Sequence, residues 1–233
     1  LPLNWWYIRG YARLFLSAGY IMSGDLAQAY TTLSTTGEPD QGRGYHNFLT
    51  GAACIVQWVA ADLTGMVQAA RWVVANSDSL DRAEMVTFAR HYLGLYHYQR
   101  NDLAAAEKYL LPLVMQPYLS HMLCFLNSAV LLARIRQVQN RPEEARAIVD
   151  AMSSFALEMR SEVASSVTRA IQAELALRQG RLAEASQWAE QYGQLRRVPA
   201  PFDFVPPLVL AGILLAQNTS SSRQQARQLL ADL

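Results

Sequence analysis

Lysine is almost missing from this chain: of 20 basic residues in 233, only Lys108 is a lysine, and biased coding composition explains that more simply than function. No glycine-rich loop ends in Lys-Ser/Thr, and Gly42-Arg43-Gly44 is too short to cradle a phosphate, which excludes a P-loop nucleotide site. Net charge is +1, so the electrostatic footprint of a nucleic-acid or anionic-membrane binder is absent. Cysteine is scarce as well. Cys54 and Cys124 lie in separate apolar stretches and make no disulfide framework, which fits free thiols in a reducing cytoplasm. The longest clean apolar run, Pro206 to Ala216, is well short of the ~20 residues a membrane span needs. Leu1-Pro2-Leu3-Asn4-Trp5-Trp6 leads into Arg9 and Arg13 and is no signal peptide. Metal spacing is lacking too: His46, His91, His97 and His121 are scattered, with no cofactor implied. No serine sits in a nucleophile elbow and neither cysteine has a lysine or arginine at helical spacing, so the chain reads as non-catalytic.

What the chain has is a repeat. Gly or Asn, a polar residue, an apolar residue, two variable residues and Ala recur six times. The copies begin at Gly24, Gly65, Asn101, Asn140, Gly180 and, more loosely, Asn218, which reaches Ala226 after three extra residues. Subtracting consecutive positions gives separations of 41, 36, 39, 40 and 38 residues. A period in that range marks a solenoid, with stacked units and an extended surface. With 52% hydrophobic residues, such an array can bury a continuous core.

Each unit reads as two antiparallel helices, because apolar residues such as Ile171, Leu175, Leu182, Ala185 and Ala189 recur at three, four or seven. Gly or Asn tolerates the left-handed conformation that ends a first helix, and Asp25 or Asp102 can cap the second. Seven residues before the Gly/Asn stand small residues: Ser17, Gly94, Ala133, Ala173 and Ala211. Twelve further on from the first four stand Ala29, Ala106, Ala145 and Ala185, so each pair would let two helices approach closely at their crossing. The spacing predicts first helices over 4–22, 45–63, 82–99, 119–138, 161–178 and 206–216. Their partners fall over 26–36, 66–76, 103–116, 142–157, 182–195 and 223–233. The units are therefore about 4–36, 45–76, 82–116, 119–157, 161–195 and 206–233 of one domain, 1–233. Gly37–Gly44 and 197–207 read as long loops, and Pro112 should kink or stop its helix early. The second unit is irregular, with Trp58 and Asp62 where small and apolar residues belong. The chain begins without Met and stops on an uncovered stripe of Leu229, Leu230 and Leu233, which predicts a piece of a larger protein.

Ser17-x2-Tyr20-x3-Gly24-x-Leu26-x2-Ala29 and Gly94-x2-His97-x3-Asn101-x-Leu103-x2-Ala106 resemble the tetratricopeptide repeat. The period exceeds that family's ~34 residues. The longer form is similar to the repeat region of MalT-like regulators, the large ATP-dependent members of the LuxR family. Leu175 to Ala185, leading to Trp188-Ala189, and Leu208 to Gln217 before Gln225-Ala226 carry that likeness. The resemblance implies an all-α, right-handed superhelix of about six helix-turn-helix units, lying between a nucleotide-binding core and a DNA-binding helix-turn-helix. It implies a non-catalytic domain that senses a small effector or a protein partner in the cytoplasm and itself binds neither nucleic acid nor membrane. The alternative is an interaction scaffold of another signalling protein, such as a kinase or cyclase, whose groove takes a peptide.

In arrays of that kind the first helices line the concave groove. By phase, the inward stripe holds His91, Tyr98 and Gln99, then Asn127, Arg134 and Gln137, then Glu174 and Arg178. Arg134 and Arg178 could grip a carboxylate, phosphate or sugar through forked hydrogen bonds. The plainer alternative is a solvated face with Glu174–Arg178 as an i,i+4 ion pair. Trp72 and Trp188 fall on second-helix stripes and read as core; Trp5, Trp6 and Tyr7 cannot all face one core.

Overall fold

A computed structural model of the chain describes residues 5–34, 42–76, 83–193 and 204–232. Most of the two expected long loops, together with Leu1–Asn4 and Leu233, lies outside the described residues. What is described is helical: α1 (Trp6–Met22), α2 (Leu26–Leu33), α3 (Gly42–Val59), α4 (Leu63–Asn76), α5 (Ala83–Gln99) and α6 (Leu103–Met115) come first. Then follow α7 (Met122–Val138), α8 (Pro142–Glu158), α9 (Glu162–Arg178), α10 (Leu182–Gly193), α11 (Pro206–Gln217) and α12 (Ser220–Ala231). Contacts divide the chain into two compact units, Leu1–Ser128 and Ala129–Leu233, with the division inside α7.

The turn from each odd helix to the next even one is built the same way. Gly24, Ala61, Asn101, Asn140, Gly180 and Asn218 have positive φ, between 55° and 80°. In the first five turns the amide three residues past the helix reaches back five residues, as from Asp25 to the carbonyl of Tyr20 at 2.9 Å and from Arg181 to that of Ala176 at 2.9 Å. The left-handed residue itself bonds three back, which completes a Schellman ending. Asp25, Asp62 and Asp102 then accept a backbone N–H three residues on, capping the following helix.

The second turn corrects the expectation from sequence. Gly65 does not end α3; it lies inside α4, its N–H held by Asp62 at 2.9 Å, and Ala61 (φ 58°) takes the left-handed place. The left-handed residues are consequently 37, 40, 39, 40 and 38 apart, a more even period than the Gly/Asn pattern. With the phase moved by four residues, Cys54 and Met66 occupy the crossing positions, and both are buried. Pro112 does not stop α6, which runs on to Met115. Helix α12 begins at Ser220 rather than 223, because Thr219 and Ser222 form a capping box that the Ser-rich stretch supplies.

Helical hairpins stack through both layers. In the first unit α1, α3 and α5 pack on α2, α4 and α6, and the odd helices also touch each other, α1 with α3 and α3 with α5. In the second, α8 to α12 pack in sequence and α9 touches α11. The small residues lie at the crossings: Ser17, Ala29, Gly94, Ala106, Ala133, Ala145, Ala173 and Ala185 are all buried. The Ser17 hydroxyl donates to the Ala29 carbonyl at 3.1 Å, and a Cβ on Gly94 would come within 2.5 Å of the Leu110 side chain. Cys54 and Cys124 are buried and neither is in a disulfide. Trp72 is half-buried against His46 and Trp188 stacks on Tyr192, whereas Trp5 is exposed.

Candidate functional site

In the first unit, the expected groove residues divide by exposure. His91 is in the interior rather than on a groove wall: its Nδ1 lies 3.0 Å from the Ser128 hydroxyl, joining α5 to α7, and the residue is 2% exposed. Asn127 is buried beside that contact in sequence, Tyr98 is half-buried and Gln99 is exposed at the end of α5.

The second unit brings four residues together on the odd helices. Three or four residues separate Arg134 from Gln137 on α7 and Glu174 from Arg178 on α9, so each pair shares a face. Glu174 is almost fully buried, and its carboxylate accepts from both sides. Arg134 donates from Nε at 3.0 and 3.2 Å and from Nη2 at 2.7 Å, and Arg178 donates from Nε at 2.9 Å. Gln179 donates to Gln137 at 2.6 Å beside them, and the Arg134 guanidinium lies 5.2 Å above the Phe204 ring. A buried carboxylate needs partners of this kind, since desolvation otherwise costs several kcal/mol. Two guanidiniums on one carboxylate leave one positive charge over, and Arg178, with 47% of its side chain exposed, presents it to solvent. The isolated i,i+4 pair read from sequence is thus one half of a three-residue cluster that ties α7 to α9.

At the ends of these helices, ion pairs are more ordinary. Arg141 donates to Glu144 at 2.5 Å twice and, with Arg136 nearby, holds that exposed carboxyl below its usual range. Arg181 pairs with Glu184 at 2.8 Å. Burial in the first unit acts the other way on a thiol, pushing Cys54 up to about 12.

Sequence reasoning missed a concavity in the second unit, with a volume of about 810 Å³. Ser153, Ala156, Leu157 and Arg160 line it from α8 and the turn after it, at helical spacing. Ser165, Ser166, Arg169 and Gln172 line it from α9. The stripe of polar residues on α9 was the signal available, but it lies on a different face of the helix from Glu174 and Arg178. A smaller hollow of about 230 Å³ in the first unit is walled by Tyr30, His46, Leu49 and Gln57. The Gln57 Nε2 donates to the Tyr30 hydroxyl, and its buried Oε1 has no partner among the described residues.

Among the described residues no group of His, Cys, Asp and Glu is placed to hold a metal ion, and no helix is long and apolar enough to cross a membrane. Comparison with curated proteins and with solved structures gave no match. A family model of the MalT-like TPR region matches residues 1–233. Twelve described helices paired by left-handed turns at intervals of 37 to 40 residues are the architecture such a match requires, and the chain belongs to the MalT-like TPR region family.

Proposed function

We propose that this chain is the effector-sensing, protein-interacting repeat region of a bacterial transcription regulator, and that it acts by binding rather than by catalysis. Membership of the MalT-like family supports the regulator reading. The observation that carries a sensing role is the Glu174 carboxylate shared between Arg134 on α7 and Arg178 on α9. A ligand carboxylate or phosphate can take the half-exposed Arg178 from Glu174 and so alter the tie between those helices. A ligand shifts conformation only through such a difference in affinity between two arrangements. The region would work in the cytoplasm, without a cofactor of its own, and pass the signal to neighbouring domains.

The test is a thermal-shift screen of acidic metabolites on the 233-residue chain, followed by calorimetry on any that stabilise it. Arg134→Ala and Arg178→Ala should each weaken binding at least tenfold with the helical content unchanged. Equal affinity in both variants would remove the cluster from the site. The second reading is a peptide-binding scaffold of another signalling protein. The exposed apolar side chains Phe15, Leu16 and Met22 on α1 favour it. Binding of an amphipathic helical peptide, lost in Phe15→Ser and indifferent to Arg178→Ala, would decide for it.

A further inference from the structure

We propose that the concavity between α8 and α9 is a separate binding site for a small phosphate monoester. It lies on the other side of α9 from the Glu174 cluster. Five residues separate Arg169 from Glu174, about 140° around a helix that turns ~100° per residue. The inference therefore goes beyond the sensing site described above and does not depend on it.

Its volume of about 810 Å³ falls in the range of small-molecule pockets. The lining is cationic and rich in hydroxyls. Arg160 and Arg169 both reach it, and neither guanidinium has a carboxylate or other hydrogen-bond partner among the described residues. That sets them apart from Arg134, Arg136, Arg141, Arg178 and Arg181 in the same unit, each of which holds a glutamate. The hydroxyls of Ser165 and Ser166, a turn before Arg169, are also without a partner, whereas those of Ser153 and Thr168 are spent on backbone carbonyls. Arg160 holds a left-handed backbone (φ 47°) at a place where Asn or Gly would be less strained, and its side chain lines the cavity.

Donor supply selects the ligand. Two guanidiniums and two hydroxyls offer more N–H and O–H groups than the two oxygens of a carboxylate can accept, and they match a phosphoryl group with three terminal oxygens. Glu162 is the one acid on the rim. It repels a bare polyanion but accepts from a hydroxyl or amine on an organic group. Leu157 and Tyr192 supply apolar surface for that group's carbon skeleton. A phosphate ester bearing hydroxyls satisfies all of these together.

The experiment is amide-resolved NMR titration of the 233-residue chain with glycerol 3-phosphate at 0.15 M salt, beside inorganic phosphate and glycerol. Saturable shifts confined to 153–172 and Tyr192 are expected, with glycerol 3-phosphate tighter than inorganic phosphate and glycerol silent. Arg160→Gln with Arg169→Gln should weaken binding at least tenfold while leaving the rest of the spectrum in place. Arg146→Gln, an exposed charge on α8 that does not line the cavity, should bind as the parent does. Shifts that never saturate, or an equal loss in Arg146→Gln, would reduce the effect to general charge attraction and overturn the proposal. Tighter binding of inorganic phosphate would overturn the ester.

Discussion

At one register position, six residues before each left-handed turn residue, the two units differ sharply. The first unit has Ala18, Ile55 and Leu95 there; the second has Arg134, Glu174 and Gly212. The same backbone plan therefore carries apolar side chains at this place on the odd helices of one half, and a carboxylate clasped between guanidiniums in the other. Four residues further on the units no longer separate this way: Met22, Val59 and Gln99 stand in the first, and Val138, Arg178 and Ala216 in the second. Apolar contacts depend on shape and tolerate little beyond packing. A buried ion cluster depends on charge, so another charge can disturb it. Of the two halves, the second thus carries at this place a cluster that another charge can disturb.

The largest expected effect tests what the halves share. Ala145→Leu in the second unit should cost about 3 kcal/mol by overpacking a crossing where Ala145 is fully buried. Ala29→Leu should cost a similar amount in the first unit, where the equivalent alanine is equally closed in. Urea denaturation of both variants measures it, and a wild-type midpoint in either would mean that its crossing is not tight.

The next effect separates the halves. Glu174→Leu should destabilise by about 2 kcal/mol, because Arg134, with 22% of its side chain exposed, loses its carboxylate. That figure is lowered from the value for a fully buried pair, since solvent screens the half-exposed Arg178. Adding Arg134→Leu should restore most of the loss, as the pair then resembles the first unit's apolar side chains. Failure of the double variant to recover would show that the cluster is worth more to stability than an apolar tie.

How far all this could be read from sequence depends on which residue types carry a local signal. Gly24, Asn101, Asn140, Gly180 and Asn218 announced their turns because glycine and asparagine accept positive φ at little cost. Alanine carries no such signal, and Gly65 offered a false one four residues later; the uneven intervals of 41 and 36 were the only trace of the error. Arg160 was hidden for the same reason as Ala61, and the cavity it lines went with it. Glu174–Arg178 was legible as an i,i+4 pair, but Arg134 stands 40 residues before Glu174, and only the fold brings the two side chains to hydrogen-bonding distance. His91 had the right phase for the odd-helix face, yet Ser128 and its neighbours close over it, which a single-helix phase cannot anticipate.

Cys54 offers a smaller contrast within the first unit. It fills the crossing place taken by Ser17, Gly94, Ala133 and Ala173 in other turns, and burial raises its thiol from an ordinary 9.0 to about 12. The native state thus keeps its proton through a range in which the unfolded thiol loses it. Stability contributed by the protonated form is complete below pH 9 and declines as pH rises towards 12. Between pH 8 and 10 the parent should lose about 1 kcal/mol relative to Cys54→Ala, in which tyrosine and lysine titrations are unchanged and cancel. Urea midpoints of the two proteins at each pH measure it, and parallel curves would mean that the thiol is open to solvent.

The smallest effect bears on the turns themselves. Gly180→Ala places a Cβ in open space, with no heavy atom within 4 Å, yet forces alanine into φ +78°. Its cost of about 1 kcal/mol is therefore conformational alone. Ala61 already bears that cost at φ 58°, so Ala61→Gly relieves it. The gain is partly offset by the greater freedom glycine gives the unfolded chain, which leaves a net stabilisation of about 0.5 kcal/mol. Opposite signs for the same pair of residues, exchanged at two equivalent turns, would establish that Ala61 and not Gly65 holds the second turn. A loss of stability in Ala61→Gly would return the turn to Gly65 and restore the uneven period.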